Sequence, residues 1–166
     1  MGCRKLKSLS TRDVVVEFHL QKTATYCGGA RPSDEMLAEL SIPKPLADYQ
    51  FYIKAGDVND PDVPALFSSF TDDAGLAYVL LKPGKYLVVF EDKQDWTQYN
   101  AWKKMYSESS SNHSPIDTTC LLQWIKQPEF VFEVVADSAC KVEFTKVQKC
   151  FWNEVPCLDY TGSIPP

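Results

Sequence analysis

The sequence predicts a mostly β fold, a sandwich of about seven strands with about two or three short inserted helices. Three observations carry this. Val14 to Lys22 places Val14, Val16, Phe18 and Leu20 on one face and Glu17, His19 and Gln21 on the other, the alternation of a half-buried strand. Thr71 to Tyr86 reads turn, strand, turn, strand. Asp72, Asp73 and Gly75 carry turn chemistry, and Leu76 to Leu81 is an apolar run of strand length. Pro83-Gly84 suits the centre of a type II turn, and Tyr86 to Phe90 is a second strand of β-branched and aromatic residues, so the segment predicts a hairpin. Near the C-terminus, Phe130 to Ala136 and Lys141 to Gln148 read as two strands around an Asp137-Ser138 turn.

The remaining elements follow in chain order. Residues 1–12 read as a basic, flexible tether, and 13–166 as one sandwich domain. After the first strand comes a Cys27-Gly28-Gly29 turn. Ser33 is placed to cap a helix whose first turn carries Asp34 and Glu35; it runs to about Leu40 and stops before Pro43 and Pro45. Tyr49 to Lys54 alternates again, with Tyr49, Phe51 and Ile53 inward. Residues 56–64 form an acidic loop. Its spacing lacks the glycine and terminal glutamate of an EF-hand, so a solvated loop is expected and no metal site. Asp95 caps a helix to about Tyr106 that carries Trp96, Tyr99, Trp102, Lys103 and Tyr106. Ser107 to Ser114 is a polar loop. Asp117 opens a further helix with an apolar face of Leu121, Trp124 and Ile125, bounded by Pro128. No internal repeat is visible.

Composition narrows the function classes. A chain of 166 residues fits one domain and buries roughly 70% of its unfolded surface. The net charge of −5 and pI near 5.0 argue against nucleic acid, which requires a basic footprint. No apolar run approaches the roughly 20 residues of a membrane-spanning helix. The 13% aromatic content argues against disorder.

The six cysteines are Cys3, Cys27, Cys120, Cys140, Cys150 and Cys157. No C-x-x-C pair occurs, which argues against a zinc ribbon or a thioredoxin-type site. Scattered cysteines fit disulfides in an oxidising compartment, and Cys27, Cys120, Cys140, Cys150 and Cys157 are the candidates. Spacing leaves the pairing open; Cys150 and Cys157, flanking a short segment with Pro156, are the first local pair to consider. The start, Met1-Gly2-Cys3-Arg4-Lys5-Leu6-Lys7, lacks an apolar core after its basic residues and is no intact signal peptide. Two readings make Cys3 a lipid-anchor candidate. One is acylation at Gly2-Cys3, although Leu6 stands where Ser or Thr is preferred. In the other, Met1-Gly2 is an added remnant and Cys3 begins a mature lipoprotein.

The motif Thr71-Asp-Asp-Ala-Gly75 … Leu81-Lys-Pro83-Gly84-Lys-Tyr86-Leu-Val88 resembles the transthyretin-like, carboxypeptidase-regulatory-like domains. The resemblance implies a transthyretin-like (Ig-like) β-sandwich, a scaffold that hosts unrelated roles. Tyr26 to Pro32 and Cys150 to Pro166 resemble segments of uncharacterised secreted or lipid-anchored proteins of Bacteroidetes-type bacteria. That resemblance implies an extracytoplasmic location, periplasm or cell surface.

The chemistry-bearing residues point away from catalysis. His19 and His113 are the two histidines. A continuous strand would hold His19 roughly 26 Å from Cys27, too far for a Cys-His nucleophile pair. Gly28-Gly29 lacks the pattern of a phosphate loop, and no G-x-S-x-G elbow occurs. Tyr160-Thr161-Gly162-Ser163 resembles the C-terminal tetrapeptide of the hydroxyisourate hydrolases, but Thr161 replaces their basic residue and the chain continues past it. The expectation is a non-enzymatic binding or structural module of the bacterial envelope, without cofactor, with a protein or glycan partner, and accessory to a larger surface assembly. The alternative is a glycan or small-molecule binder using Trp96, Tyr99 and Trp102, although the same stripe also serves to pack a helix on a sheet.

Overall fold

The computed structural model describes residues 12–164; Cys3 and most of the expected tether lie outside them. Eight strands and three α-helices are formed among the described residues. They are β1 (Val14–Ala24), α1 (Asp34–Leu40), β2 (Lys44–Pro45), β3 (Gln50–Ala55), β4 (Phe67–Phe70), β5 (Leu76–Leu81), β6 (Gly84–Val89), α2 (Trp96–Met105), α3 (Thr118–Lys126), β7 (Phe130–Val134) and β8 (Cys140–Gln148).

Two four-stranded sheets face each other. In the first, β1 is central. It pairs antiparallel with β5 through Val14–His19 and with β2 through Gln21 and Lys22, along one edge. On its other edge β1 pairs parallel with β8, from Val16↔Cys140 to Ala24↔Gln148. The second sheet is antiparallel throughout, in the order β4-β3-β6-β7. Between the sheets lie Val16, Phe18 and Leu20 of β1, Phe51 and Ile53 of β3, Tyr86 and Val88 of β6, and Val134 of β7. Phe18 is fully buried and touches both facing strands, with ring centroids 5.0 Å from Phe51 and 5.4 Å from Phe132. Burial of such a side chain contributes about 2 to 3 kcal/mol.

The Asp72–Gly75 turn forms as its residues predict. The Asp72 carboxylate accepts from the amides of Ala74 and Leu76, each at 2.9 Å. Gly75 sits at φ +76°, and a Cβ there would run into the Leu20 carbonyl oxygen, so this position requires glycine. The expected hairpin does not form. β5 belongs to the first sheet and β6 to the second, so Lys82 and Pro83 carry the chain from one sheet to the other. Gly84 does not take the positive φ of a type II turn; it is already in β6, paired with Val134. The Tyr86 hydroxyl donates to the Lys82 carbonyl at 2.9 Å and braces this corner. β2 and β4 add to the expected strands: β2 has two residues including a proline, and β4 is Phe-Ser-Ser-Phe, too short to show a period. Both lie on sheet edges, where proline and short strands are tolerated.

All three α-helices start where their caps predict. Ser33 accepts from Met36 N, Asp95 from Thr97 N, and Asp117 from Thr119 N and Cys120 N. α2 and α3 build a second apolar cluster around Tyr99, Ile116, Leu121 and Ile125. This layer lies against the outer face of the second sheet. Leu87 and Val89 point away from the sandwich interior yet are fully buried, which requires cover on that side. Lys54 shares that face and is 2% exposed. Its ammonium donates to the carbonyls of Asp60 (2.8 Å) and Gln94 (2.7 Å), tying the acidic loop to the entry of α2. Burial lowers its pKa, against the pull of Asp60 and Asp95.

Candidate functional site

An open cleft of about 1230 Å³ lies between β8 and the helical layer. Gln98 and Trp102 of α2 and the C-cap residue Tyr106 recur every four residues and therefore lie along one side; that side lines the cleft. Trp124 of α3 adds a second indole, its centroid 5.4 Å from Trp102. β8 supplies Phe144 to Gln148 opposite, and Phe151, Glu154, Val155 and Pro156 close the C-terminal side.

The floor is charged. Phe90 follows β6 directly and precedes a 3-10 turn, Glu91–Lys93. Lys93 Nζ lies 3.1 Å from Glu129 Oε1, and both side chains are largely buried. The same ammonium donates to the Gln127 carbonyl at 3.0 Å and sits 4.7 Å above the Trp124 ring, where the ring quadrupole attracts it. Lys146 Nζ donates to the Tyr49 hydroxyl at 2.6 Å and lies 4.8 Å from the Tyr49 centroid and 4.7 Å from that of Phe90. Asp92 also lines the cleft, and both cations act on its carboxyl. Its Oδ1 is buried and has no hydrogen-bond partner among the described residues. Burial pushes the Asp92 carboxyl above its ordinary range, and the Glu129 carboxylate adds to this; Lys146 and Lys93 pull it back less. The site thus offers a desolvated acceptor beside an aromatic wall, over a floor of two carboxylates and two ammoniums.

No family model matches the chain, and no curated protein matches it. Among solved structures, the TIE protein of Bacillus anthracis is similar to this chain over 80% of its length, at 14% identity and a TM-score of 0.37. The chain spans 16% of that protein. So faint a likeness supports no functional statement.

Of the three aromatics that the sequence offers as ligand contacts, Trp102 alone lines the cleft. Tyr99 is 8% exposed inside the helical cluster. Trp96 packs on Tyr99 at 5.1 Å and donates its indole N–H to Asp62 at 2.7 Å, so one carboxylate of the acidic loop serves as its anchor. Asp92, Lys93, Glu129, Lys146, Tyr49 and Trp124 are cleft residues that sequence reasoning misses. Glu91-Asp92-Lys93 is legible as a charge run after an apolar strand, but charge runs are ordinarily solvated.

The disulfides are Cys27–Cys150 and Cys120–Cys157, with Cα separations of 5.6 and 5.8 Å. The local Cys150–Cys157 pair is not formed. Parallel pairing explains this: Ala24 and Gln148 are register partners, so Cys27 and Cys150, just beyond them, meet at the same end of the sheet. Cys140, also a disulfide candidate, is a free thiol among the described residues. It packs against the sandwich core, and burial raises its pKa, which favours the thiol over the thiolate. Both bonds hold the segment from Cys150 to Cys157, one at each end. That segment is a wall of the cleft. His19 lies on the outer side of β1, opposite Leu76 and Glu143. His113 bridges Tyr160 through the backbone, while its ring packs on Tyr106 at 4.9 Å.

The buried Asp92 carboxyl has a measurable consequence. The folded chain holds this proton more tightly than the unfolded chain. Between the ordinary and the raised pKa the folded state therefore binds more protons, and the group's contribution to stability falls as pH rises through that window. Asp92→Asn removes the charge, and a gain of about 1 kcal/mol would raise Tm by about 2 to 4 °C near neutral pH. The gain shrinks toward acid pH, where Asp92 itself is protonated. Thermal melts of both proteins across pH check this; a difference that ignores pH would show that desolvation of the carboxylate is not its source.

Proposed function

We propose that the protein is a non-enzymatic binding module of the bacterial envelope and that the cleft beside α2 is its ligand site. In this reading the transthyretin-like sandwich is scaffold, and Cys3 tethers it outside the cytoplasm. The observation that carries it is the cleft wall of Trp102 and Trp124 beside the Asp92 carboxylate, a lining group with one oxygen buried and without a donor among the described residues. Buried polar groups are ordinarily satisfied, so a carboxylate short of donors at a cleft is a place for a ligand donor. Both disulfides support the compartment, since such bonds persist where conditions are oxidising. They also hold the cleft wall in place before any ligand arrives, which lowers the ordering cost of binding.

The chain has four tryptophans, so its indole N–H resonances form a compact reporter. Titration with neutral oligosaccharides, short peptides and nucleosides is expected to move the Trp102 and Trp124 signals with at least one class. Trp102→Ala is expected to abolish that response in a folded protein. If every class leaves both signals in place, the cleft is not a ligand site.

A further inference from the structure

If the cleft is the ligand site, its lining also restricts the chemistry of the occupant. Its lining carries Asp92, Glu129 and Glu154 against Lys22, Lys93, Lys146 and Lys149. Three carboxylates against four ammoniums, with Lys93 and Glu129 already paired, leave little net attraction for an ion of either sign. The unmet requirement is for a donor, because Asp92 Oδ1 is an acceptor without a partner among the described residues. A hydroxyl supplies a donor without bringing a charge that must be desolvated. The wall offers two indoles, Trp102 and Trp124, with Lys93 occupying a position over the second. Indoles suit a ligand with an apolar face and a polar rim. At about 1230 Å³ the cleft exceeds the roughly 300 to 1,000 Å³ of drug-sized pockets, and it extends along successive residues of β8. An extended ligand fits this better than a single small ring.

We infer that the cleft receives a stretch of a neutral polysaccharide, whose hydroxyls donate to Asp92 and whose sugar C–H faces lie against Trp102 and Trp124. An added peptide strand is the competing extended occupant. Lys149, just past the end of β8, opposes it, as edge lysines do in other sheets.

The test uses the chain with both disulfides intact and four neutral probes: cellohexaose, xylohexaose, mannohexaose and N-acetyl-chitohexaose. At least one is expected to shift the indole signals of Trp102 and Trp124 and to leave those of Trp96 and Trp152 unchanged. Asp92→Asn, which keeps the side-chain shape, is expected to weaken that binding about tenfold or more while Tm does not fall. If no hexasaccharide moves the two signals, or if the Asp92→Asn protein binds as tightly as the parent, the inference is overturned. Hexapeptides moving those signals in place of the sugars would overturn the saccharide class and leave the cleft as a ligand site. No response to either class would overturn the saccharide inference, and silence of nucleosides as well would overturn the cleft as a ligand site.

Discussion

Serine at both Cys27 and Cys150 lowers the melting temperature more than any single side-chain change in this chain. The bond closes a loop with a sequence separation of 123 residues. Losing its constraint on the unfolded chain corresponds to about 5 kcal/mol, and hence roughly 10 to 20 °C in Tm for a protein of this size. The Cys120–Cys157 bond, with a separation of 37 residues, contributes less, about 4 kcal/mol. Calorimetry of the two double-serine proteins without reductant orders them. A smaller loss for the Cys27–Cys150 pair would show that β1 and β8 already hold the chain ends together in the unfolded ensemble. The effects on the cleft should run the other way. Cys120–Cys157 joins α3, which carries Trp124, to the far end of the cleft wall, so its loss moves Trp124 relative to Val155 and Pro156.

Lys54→Met lowers stability by about 3 kcal/mol, or roughly 6 to 12 °C in Tm. Methionine fills much of the same volume but cannot donate to the carbonyls of Asp60 and Gln94, which Lys54 serves at 2.8 and 2.7 Å. Each acceptor left without a donor in a covered layer costs about 1 to 3 kcal/mol, and relief from burying the ammonium offsets part of this. The damage should be local to the loop at 56–64 and the start of α2. Hydrogen exchange at Thr97 and its neighbours should accelerate while β1 stays protected. A variant as stable as the parent would mean that water satisfies both carbonyls.

Much of the local structure is legible in the residues. The alternation of Val14–Lys22 places Val16, Phe18 and Leu20 inside, and all three are fully buried. Ser33, Asp95 and Asp117 each cap the helix expected to follow. Asp72 and Gly75 make their turn. The same local signals mislead at Pro83-Gly84, because a turn motif between two strand-like runs does not say whether they share a sheet. Lys54 misleads similarly. Its parity sends it to the outer face of β3, where a lysine is ordinarily solvated, but here the helical layer covers that face.

The candidate site is the least legible part. Trp102 is visible as one member of a stripe at helical spacing, yet Trp96 and Tyr99 in the same stripe turn to Asp62 and to the helical cluster. Tyr49, Asp92, Glu129 and Lys146 come from four separate segments, and nothing in their spacing links them. What the sequence alone determined is the set of strand faces, helix starts and tight turns, because these rest on side-chain periodicity and on hydrogen bonds spanning a few residues. The tertiary structure decided which strands pair, which cysteines meet and which outer face is covered. Those depend on the parallel seating of β8 beside β1 and the docking of α2 and α3, contacts between residues far apart in the chain that no local pattern encodes.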